Sequence, residues 1–280
     1  MKKVLLLFFL IFTSSLIVMA QWEASASAGL GYMTDNSGQG IYSYTQTGIT
    51  KKKNLHRLGT FASFVIVDVD FNNYRYQAQE YGLGCSYDTW KKISKNYTFA
   101  MWINPQIKFF DDNGKNSVNN EQAFQKDIGS NIVLGFNFND ALNRWFRSYK
   151  FQIQYQQAIW SKRQGVWADD DGYLSDKVNF KAVNKNYLKS QFEVTVKKLN
   201  ASKLMQIEPK LVVACQLNGN RKIMYETGLG LALSYMRKDR YFELGSVQYR
   251  IRTGHYIAES LSLIELNVDF VNIYRIIKRE

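Results

Sequence analysis

The chain has 280 residues, a formal net charge of +12 and only two cysteines, Cys85 and Cys215. Aromatic residues make up 15% of it, yet the mean hydropathy is only -0.31, so the rings stand among polar side chains instead of forming continuous apolar runs. No helix rich in Lys or Arg accompanies the positive charge, which argues against nucleic-acid binding and favours anionic neighbours such as lipopolysaccharide phosphates or acidic sugars. Neither a metal nor a cofactor is predicted, because the zinc-type Cys/His spacings are absent.

The first twenty residues have the pattern of a secretory signal peptide. Lys2 and Lys3 precede an apolar run that begins at Val4, and small residues up to Ala20 fit a cleavage site. The alternative, an N-terminal membrane anchor, is disfavoured because the run is short. We therefore predict a signal peptide over residues 1–20 and a single domain over residues 21–280.

The rest of the chain alternates between apolar and polar residues. Such period-two segments lie at 96–110, 127–139, 149–160, 187–199, 225–236 and 262–270. Each is roughly ten residues or more, which suits a tilted strand crossing a membrane, and turn-rich stretches separate them. No later run is apolar for long enough to cross a bilayer as a helix. The pattern predicts an all-β fold, an antiparallel transmembrane β-barrel of about 12–16 strands.

The segment YETGLGLALSYM, residues 225–236, distinguishes this barrel from a soluble β-sandwich. One face carries Tyr225, three leucines and Tyr235, while the other is small or polar. A bilayer favours aromatic rings at its two interfaces and hydrocarbon between them, whereas a sandwich core gains little from tyrosines at strand ends. The apolar face is therefore predicted to meet lipid, and the polar face to line the lumen.

The inward-facing residues are the candidate functional surface. They are a series of amides and charged groups: Gln152, Gln154, Gln156, Lys189, Glu193, Glu265, Asn267 and Asp269. Such a lumen offers hydrogen bonds to water or sugars without selecting one sign of ion. The sequence leaves open whether the lumen is an open channel or is filled by mutually paired side chains.

Other candidates for chemistry have simpler explanations. His56 and His255 lie outside any recognisable serine motif, so no enzyme activity is predicted. The acidic group Asp169, Asp170, Asp171 and Asp176 lacks the spacing of a calcium loop. Residues 51–54, KKKN, form either a lipid-phosphate contact or a simple positive turn. Cys85 and Cys215 either pair or remain free thiols.

Residues 225–252 carry a family resemblance. A Gly-x-Gly strand (Gly228, Gly230), an Asp-Arg-Tyr turn (Asp239, Arg240, Tyr241) and a Gln-Tyr-Arg strand (Gln248, Tyr249, Arg250) follow one another. In order and spacing they resemble the C-terminal barrel of the bacteriophage adsorption protein A family. Lys238 replaces the acidic residue usual before the turn, and the helical repeats that precede such barrels are absent. On physical grounds these residues are structural, with Arg240 and Arg250 pairing with Asp239, Glu243 or Glu226 to fix strand register.

The resemblance implies a Gram-negative outer-membrane barrel associated with exopolysaccharide export. The expected partners are outer-membrane lipid and lipopolysaccharide, the barrel-assembly machinery, and a polysaccharide or its synthase. Phe270 is a suitable terminal aromatic residue for recognition by the barrel-assembly machinery. The tail after it either extends the last strand or enters the lumen. The alternative functions are a closed structural or surface-receptor barrel acting through its loops and, less favoured, a barrel lipid hydrolase.

Overall fold

The computed structural model describes residues 22–34, 38–71, 74–94, 96–116, 122–140, 142–143, 145–164, 167–168, 180–181, 186–196, 199–200, 205–218, 223–237, 240–253 and 260–278. The predicted signal peptide, residues 1–20, lies outside them. Within these residues the chain forms fifteen strands and one helix. The strands are β1 (Trp22–Thr34), β2 (Gly38–Lys53), β3 (His56–Phe71), β4 (Tyr74–Lys92), β5 (Tyr97–Asn116), β6 (Gln122–Asp140), β7 (Phe146–Gln164), β8 (Trp167–Ala168), β9 (Phe180–Lys181), β10 (Tyr187–Val196), β11 (Leu199–Asn200), β12 (Met205–Asn218), β13 (Ile223–Arg237), β14 (Arg240–Thr253) and β15 (Ser260–Asp269), and the helix is α1 (Phe270–Ile277).

The long strands form one closed antiparallel sheet. Neighbours in sequence pair in order from β1 to β7, β10 pairs with both β7 and β12, and β1 pairs with β15. The described residues therefore build a closed barrel of twelve long strands, which confirms the predicted fold at the lower end of the expected range. Each of these twelve strands has a paired neighbour on both sides, as a hydrocarbon surrounding requires of the membrane-spanning part.

The two faces of each strand meet different surroundings. On β13, Leu229 and Leu231 point outward and are 65% and 48% exposed, whereas inward-facing Glu226 and Ser234 are 4% and 2% exposed. An exposed leucine stripe is unfavourable in water but matches acyl chains. Tyr225, 56% exposed, stands at one end of this stripe. The strand has the alternation predicted from its sequence.

The barrel has two unlike ends, named here by what they carry. The termini end holds Trp22 of β1 and α1, and its strand connections include the turn at Asn54–Leu55 and residues 238–239. The loop end holds the longest connection, residues 165–186. Asn54 adopts a positive φ of 55° at its turn, a conformation that asparagine tolerates well.

One wall is taller than the other. Strands β4, β5, β6 and β7 have 19, 20, 19 and 19 residues, whereas β10 and β15 have 10 each. About ten tilted residues suffice to cross the hydrocarbon. The surplus lies at the loop end, where the outward face turns polar and carries the ion pairs Arg75–Asp68 and Lys126–Asp111.

The tail predicted to extend the last strand or to enter the lumen instead forms α1. Asp269, the last residue of β15, caps this helix: its Oδ1 accepts the backbone N–H of Asn272 at 2.8 Å. The Asn272 side chain then donates to the Glu243 carbonyl oxygen at 2.9 Å. In the described part of the chain, no helix is long and apolar enough to span a bilayer.

Candidate functional site

A set of polar side chains lines the lumen and forms what we call the lumenal belt. Its members come from nine of the barrel strands and point inward: Tyr42, Glu80, Lys108, Asn131, Gln154, Gln156, Tyr187, Lys189, Glu226, Gln248, Arg250, Arg252, Glu265 and Asn267. Alternation places all of them on the polar face, and the pairing of strands brings them together.

Glu226 is the centre of the charged half of the belt. Its side chain is only 5% exposed and meets three cations: Arg250 at 2.8 Å, Arg252 at 2.9 Å and Lys189 at 3.4 Å. Removing a carboxylate from water costs several kcal/mol unless it is paired and hydrogen-bonded. Three cations from β10 and β14 supply that compensation, so Glu226 ties together strands that flank β13 on both sides.

The charged half continues across the seam where the barrel closes. Arg250 lies 4.0 Å from Glu265 on β15, and Glu265 accepts hydrogen bonds from the Tyr42 hydroxyl and, at 2.7 Å, from the Asn267 amide. Tyr42 belongs to β2, so this chain of contacts spans the β1–β15 junction. Side chains thereby join β2 to β15 across β1, in addition to the backbone pairing of β1 with β15.

The other half of the belt is built mainly from amides. The Gln154 amide donates to Asn131 at 2.9 Å and to the Tyr187 hydroxyl at 2.8 Å, and that hydroxyl donates to Gln156 at 3.1 Å. Asn131 and Gln156 are 0% and 2% exposed. These side chains are neutral, and their donors and acceptors are those that hydroxyl-rich ligands use.

The two halves interact electrostatically across the lumen. Tyr187 on β10 interacts with Glu80 on β4 and with Arg252 on β14. Glu80 is itself in a close ion pair with Lys108 on β5. Because β5, β6 and β7 separate β4 from β10 in the sheet, the belt connects strands that are not neighbours.

Two cavities lie towards the termini end of the barrel. On the opposite wall at this end, Lys150 lies 5.6 Å from the ring centre of Trp102, and the Asn139 amide donates to Thr98 at 2.9 Å. The larger cavity, of about 490 Å³, is lined by residues of β1–β4, most of them small, together with Val271 of α1. A smaller one, about 200 Å³, lies where Asp269 and Arg275 face Glu23, Arg57 and Asp88.

Glycines leave room for the large side chains of the belt. A Cβ on Gly31 would lie 1.9 Å from Cε1 of the Tyr42 ring, so the ring rests flat on a position that admits no side chain. Gly228 and Gly230 likewise leave room on β13. A Cβ on Gly228 would lie 2.8 Å from Cγ of Arg250, and a Cβ on Gly230 would lie 2.9 Å from Cγ of Gln248. Each glycine is paired in register with the side chain it accommodates.

This packing gives the motif of residues 225–252 a physical explanation. The glycines of the Gly-x-Gly segment on β13 leave space, and the Gln248 and Arg250 side chains of β14 occupy it. The Arg250 Nε donates a hydrogen bond to Gln248 at 2.9 Å. Arg250 pairs with Glu226, one of its three candidate partners. Tyr249 points outward, where its hydroxyl lies 3.2 Å from the Ser262 Oγ. The backbones of Arg240 and Tyr241 begin β14, and Asp239 lies outside the described residues.

The remaining predicted lumen residues lie nearer the termini end. Gln152 is half-buried on the face of β7 that carries Gln154. Glu193 is 3.8 Å from Lys210, which also meets Glu243 at 3.2 Å. Asp269 belongs to the helix cap and not to the belt. Of the eight candidates, five join the belt.

Five belt members were not among the predicted lumen residues: Tyr42, Glu80, Lys108, Tyr187 and Arg252. Asn131 and Glu226 lie on the inward faces that alternation predicts for their strands. Tyr42 and Glu80 lie in β2 and β4, strands with weaker alternation, where register cannot be assigned without the partner strand.

The other candidate residues also have defined places. The Nδ1 of His56 lies 2.9 Å from the Tyr87 hydroxyl on the outward face. His255, Asp169, Asp170, Asp171 and Asp176 lie outside the described residues. Both Cys85 and Cys215 are free thiols.

The helix cap provides a local test of this end of the barrel. Asp269→Ala removes the acceptor for the Asn272 N–H and should cost about 0.5–2 kcal/mol of helix stability. We expect faster amide exchange across residues 272–277, with an unchanged unfolding midpoint for the barrel. Asp269→Asn should restore protection, because asparagine is also a good cap. Unchanged exchange in Asp269→Ala would contradict the assigned cap.

Comparisons with known proteins agree with the fold. No family model matches the chain, and no curated protein matches it. Among solved structures, the translocator domain of the autotransporter NalP from Neisseria meningitidis is similar with a TM-score of 0.60 and 10% identity, covering 96% of this chain and 94% of that one. The β domain of the Bordetella autotransporter BrkA is similar with a TM-score of 0.51 and 7% identity, covering 89% of this chain and 98% of that one.

At sequence identities of 10% and 7%, the similarity to these two structures shows the fold alone. It does not confirm the resemblance to bacteriophage adsorption protein A, which stays a prediction. Sheet closure, the lipid-matched outer face and the two structural neighbours lead to the same conclusion. The chain is a closed antiparallel transmembrane β-barrel with the architecture of Gram-negative outer-membrane barrel proteins.

Proposed function

We propose that this protein resides in the outer membrane of a Gram-negative bacterium and forms a narrow passage for a hydrated polysaccharide. The proposal is carried by the chemistry of the lumenal belt. Four cations, Lys108, Lys189, Arg250 and Arg252, stand against three carboxylates, Glu80, Glu226 and Glu265, and these charges are largely paired with one another. Gln154 and Tyr187 are partly exposed in the lumen, and their neutral amide and hydroxyl groups remain to contact a passing molecule.

Such a wall suits a sugar polymer better than an ion. Sugar hydroxyls both donate and accept hydrogen bonds, as do the Gln154, Gln156 and Tyr187 side chains. An ion of either sign finds its countercharge already engaged. The orientation follows from the connections: the loop end faces outward, because barrels of this class have short periplasmic turns and longer external loops. A polymer would then enter past α1, and a synthase would be the partner on that side.

Planar-bilayer recording tests this function. We expect the purified protein to give small, weakly ion-selective conductance steps that neutral oligosaccharides block in a length-dependent manner. Gln154→Ala, which removes two hydrogen bonds of the belt, should weaken the block while ion conductance persists. Ile153→Ala is the matched control, since this neighbour faces lipid. Conductance that is strongly ion-selective and indifferent to oligosaccharides would refute the proposal.

A closed surface barrel acting through its loops is the second candidate. It is favoured by the burial of the belt, where Asn131 is 0% and Glu226 is 4% exposed. This candidate predicts that the protein never conducts and that replacing residues 165–186 abolishes its cellular role while Gln154→Ala does not. We propose no catalytic role: His56, the described histidine, faces outward and contacts Tyr87.

A further inference from the structure

The outward face of β1–β4 at the termini end carries a concentration of positive charge. Lys51 and Lys53 of β2 and Lys91 of β4 are exposed there, beside Trp22 of β1. The Lys51 Nζ lies 5.7 Å from the centre of the Trp22 ring. We call Lys51, Lys53 and Lys91 the basic patch.

Charge is segregated across the barrel wall at this level. The acidic residues of the same strand ends point inward, where Arg57 lies 3.9 Å from Glu23 and 3.8 Å from Asp88. In the part of the chain that the structure describes, no carboxylate lies within ion-pair distance of Lys51, Lys53 or Lys91. Their charge is therefore directed at the surroundings of the barrel and not at the protein.

The opposite end of the outer face is arranged differently. There Lys126 is 3.3 Å from Asp111, and Arg75 is 2.8 Å from Asp68. These cations have carboxylate partners on the protein, so they need none from the membrane. Of the outward-facing cations compared, those of the basic patch lack a carboxylate partner on the protein, whereas Lys126 and Arg75 have one.

The patch also stands at the depth where headgroups lie. Large apolar side chains appear on the outward face at this level and towards the barrel middle: Leu58, in register with Lys51, is 63% exposed, Ile49 is 40% exposed, and Leu83, further along β4, is 61% exposed. Lys51 is in register with Leu58, so its methylene stem can cover apolar surface while its ammonium reaches the interface. Trp22 is the aromatic residue expected at that boundary.

We propose that the basic patch binds the phosphate groups of anionic phospholipids in the leaflet that surrounds the termini end. The inference rests on the membrane setting of the proposed function but not on transport through the lumen. Each lysine near an anionic lipid surface contributes attraction that salt screens. The patch would hold this end of the barrel at a fixed depth and recruit anionic lipid around β1–β4.

Binding of phosphatidylglycerol to the detergent-purified, folded protein tests this. Native mass spectrometry would compare the wild type with Lys51→Gln/Lys53→Gln/Lys91→Gln, and with Lys126→Gln as the matched control at the loop end. We expect the wild type to prefer phosphatidylglycerol over phosphatidylcholine, and the triple variant to lose about fivefold in affinity for each lysine removed. Lys126→Gln should bind as the wild type does.

Two further measurements show whether the bound phosphate belongs to a lipid or to a soluble compound, and whether each variant is folded. Soluble glycerol phosphate should not displace the lipid, and equal binding of the soluble compound would overturn the proposal of a lipid site. Heat-modifiable gel migration would verify that every variant is folded. Wild-type affinities that are equal for the two lipids, or a triple variant that retains its preference, would overturn the inference. Neither outcome depends on whether the barrel conducts.

Discussion

Glu226→Gln is expected to destabilise the barrel by about 3–5 kcal/mol, because it removes a buried carboxylate that three partly buried cations share. Lys189, Arg250 and Arg252 all lie within 3.4 Å of Glu226, and they come from strands on both sides of β13. The glutamine keeps the size and one acceptor oxygen, so the loss reports charge and not packing. Urea unfolding in lipid vesicles would measure the change.

Glu243→Gln is the matched control. Its side chain is 46% exposed and contacts Lys210 at 3.2 Å, so its pair is solvent-screened and should contribute about 0–1 kcal/mol. A second consequence concerns the lumen: freed of Glu226, the cations should repel one another and make any conductance anion-selective. An unfolding midpoint for Glu226→Gln equal to that of the wild type would contradict the central role given to this residue.

Gly31→Val should be the most damaging substitution on β1. The new side chain would begin 1.9 Å from the Tyr42 ring, so the ring must leave its place, and its hydroxyl then loses Glu265. Overpacking of this kind costs about 1–3 kcal/mol, and the seam between β1 and β15 weakens in addition. We expect a lower unfolding midpoint and a smaller fraction of the compact form on heat-modifiable gels.

A double-mutant cycle separates the clash from the intrinsic cost of valine in this strand. Tyr42→Ala should be destabilising alone, yet Gly31→Val/Tyr42→Ala should cost clearly less than the sum of the two single changes. Leu30→Val, the lipid-facing neighbour, serves as the control and should change stability by less than about 1.5 kcal/mol. Additive effects in the cycle would show that the ring and the glycine are not coupled.

The strands with strict alternation were the predictable part of this fold. Residues 225–235 are the clearest case: the outward leucines and inward Glu226 of β13 lie on the faces that the period of two assigns to them. Gln154 and Gln156 were likewise placed on the inward face of β7. Alternation is a local property of one strand, so the sequence of that strand is sufficient to predict it.

The contacts of the belt were not predictable in the same way. Tyr42 meets Glu265 although 223 positions separate them, and this contact depends on closure of the barrel. Asp269 continues the alternation of β15 and lies on its inward face, where it lines the smaller cavity, but its additional role as the cap of α1 was not predicted. The helix itself was missed because its apolar residues follow a strand without a turn signal.

The unequal strand lengths have a consequence for what happens outside the bilayer. Beyond the membrane, β4–β7 continue for about nine residues more than β10 and β15, a rise of roughly 20 Å once strand tilt is included. Among the described strands, the rim of the barrel at the loop end is therefore higher on the side of β4–β7 than on the side of β10 and β15. Among these strands, the wall of β4–β7 shields the mouth more than β10 and β15 do, and the ion pairs Arg75–Asp68 and Lys126–Asp111 lie on the outer side of the taller wall.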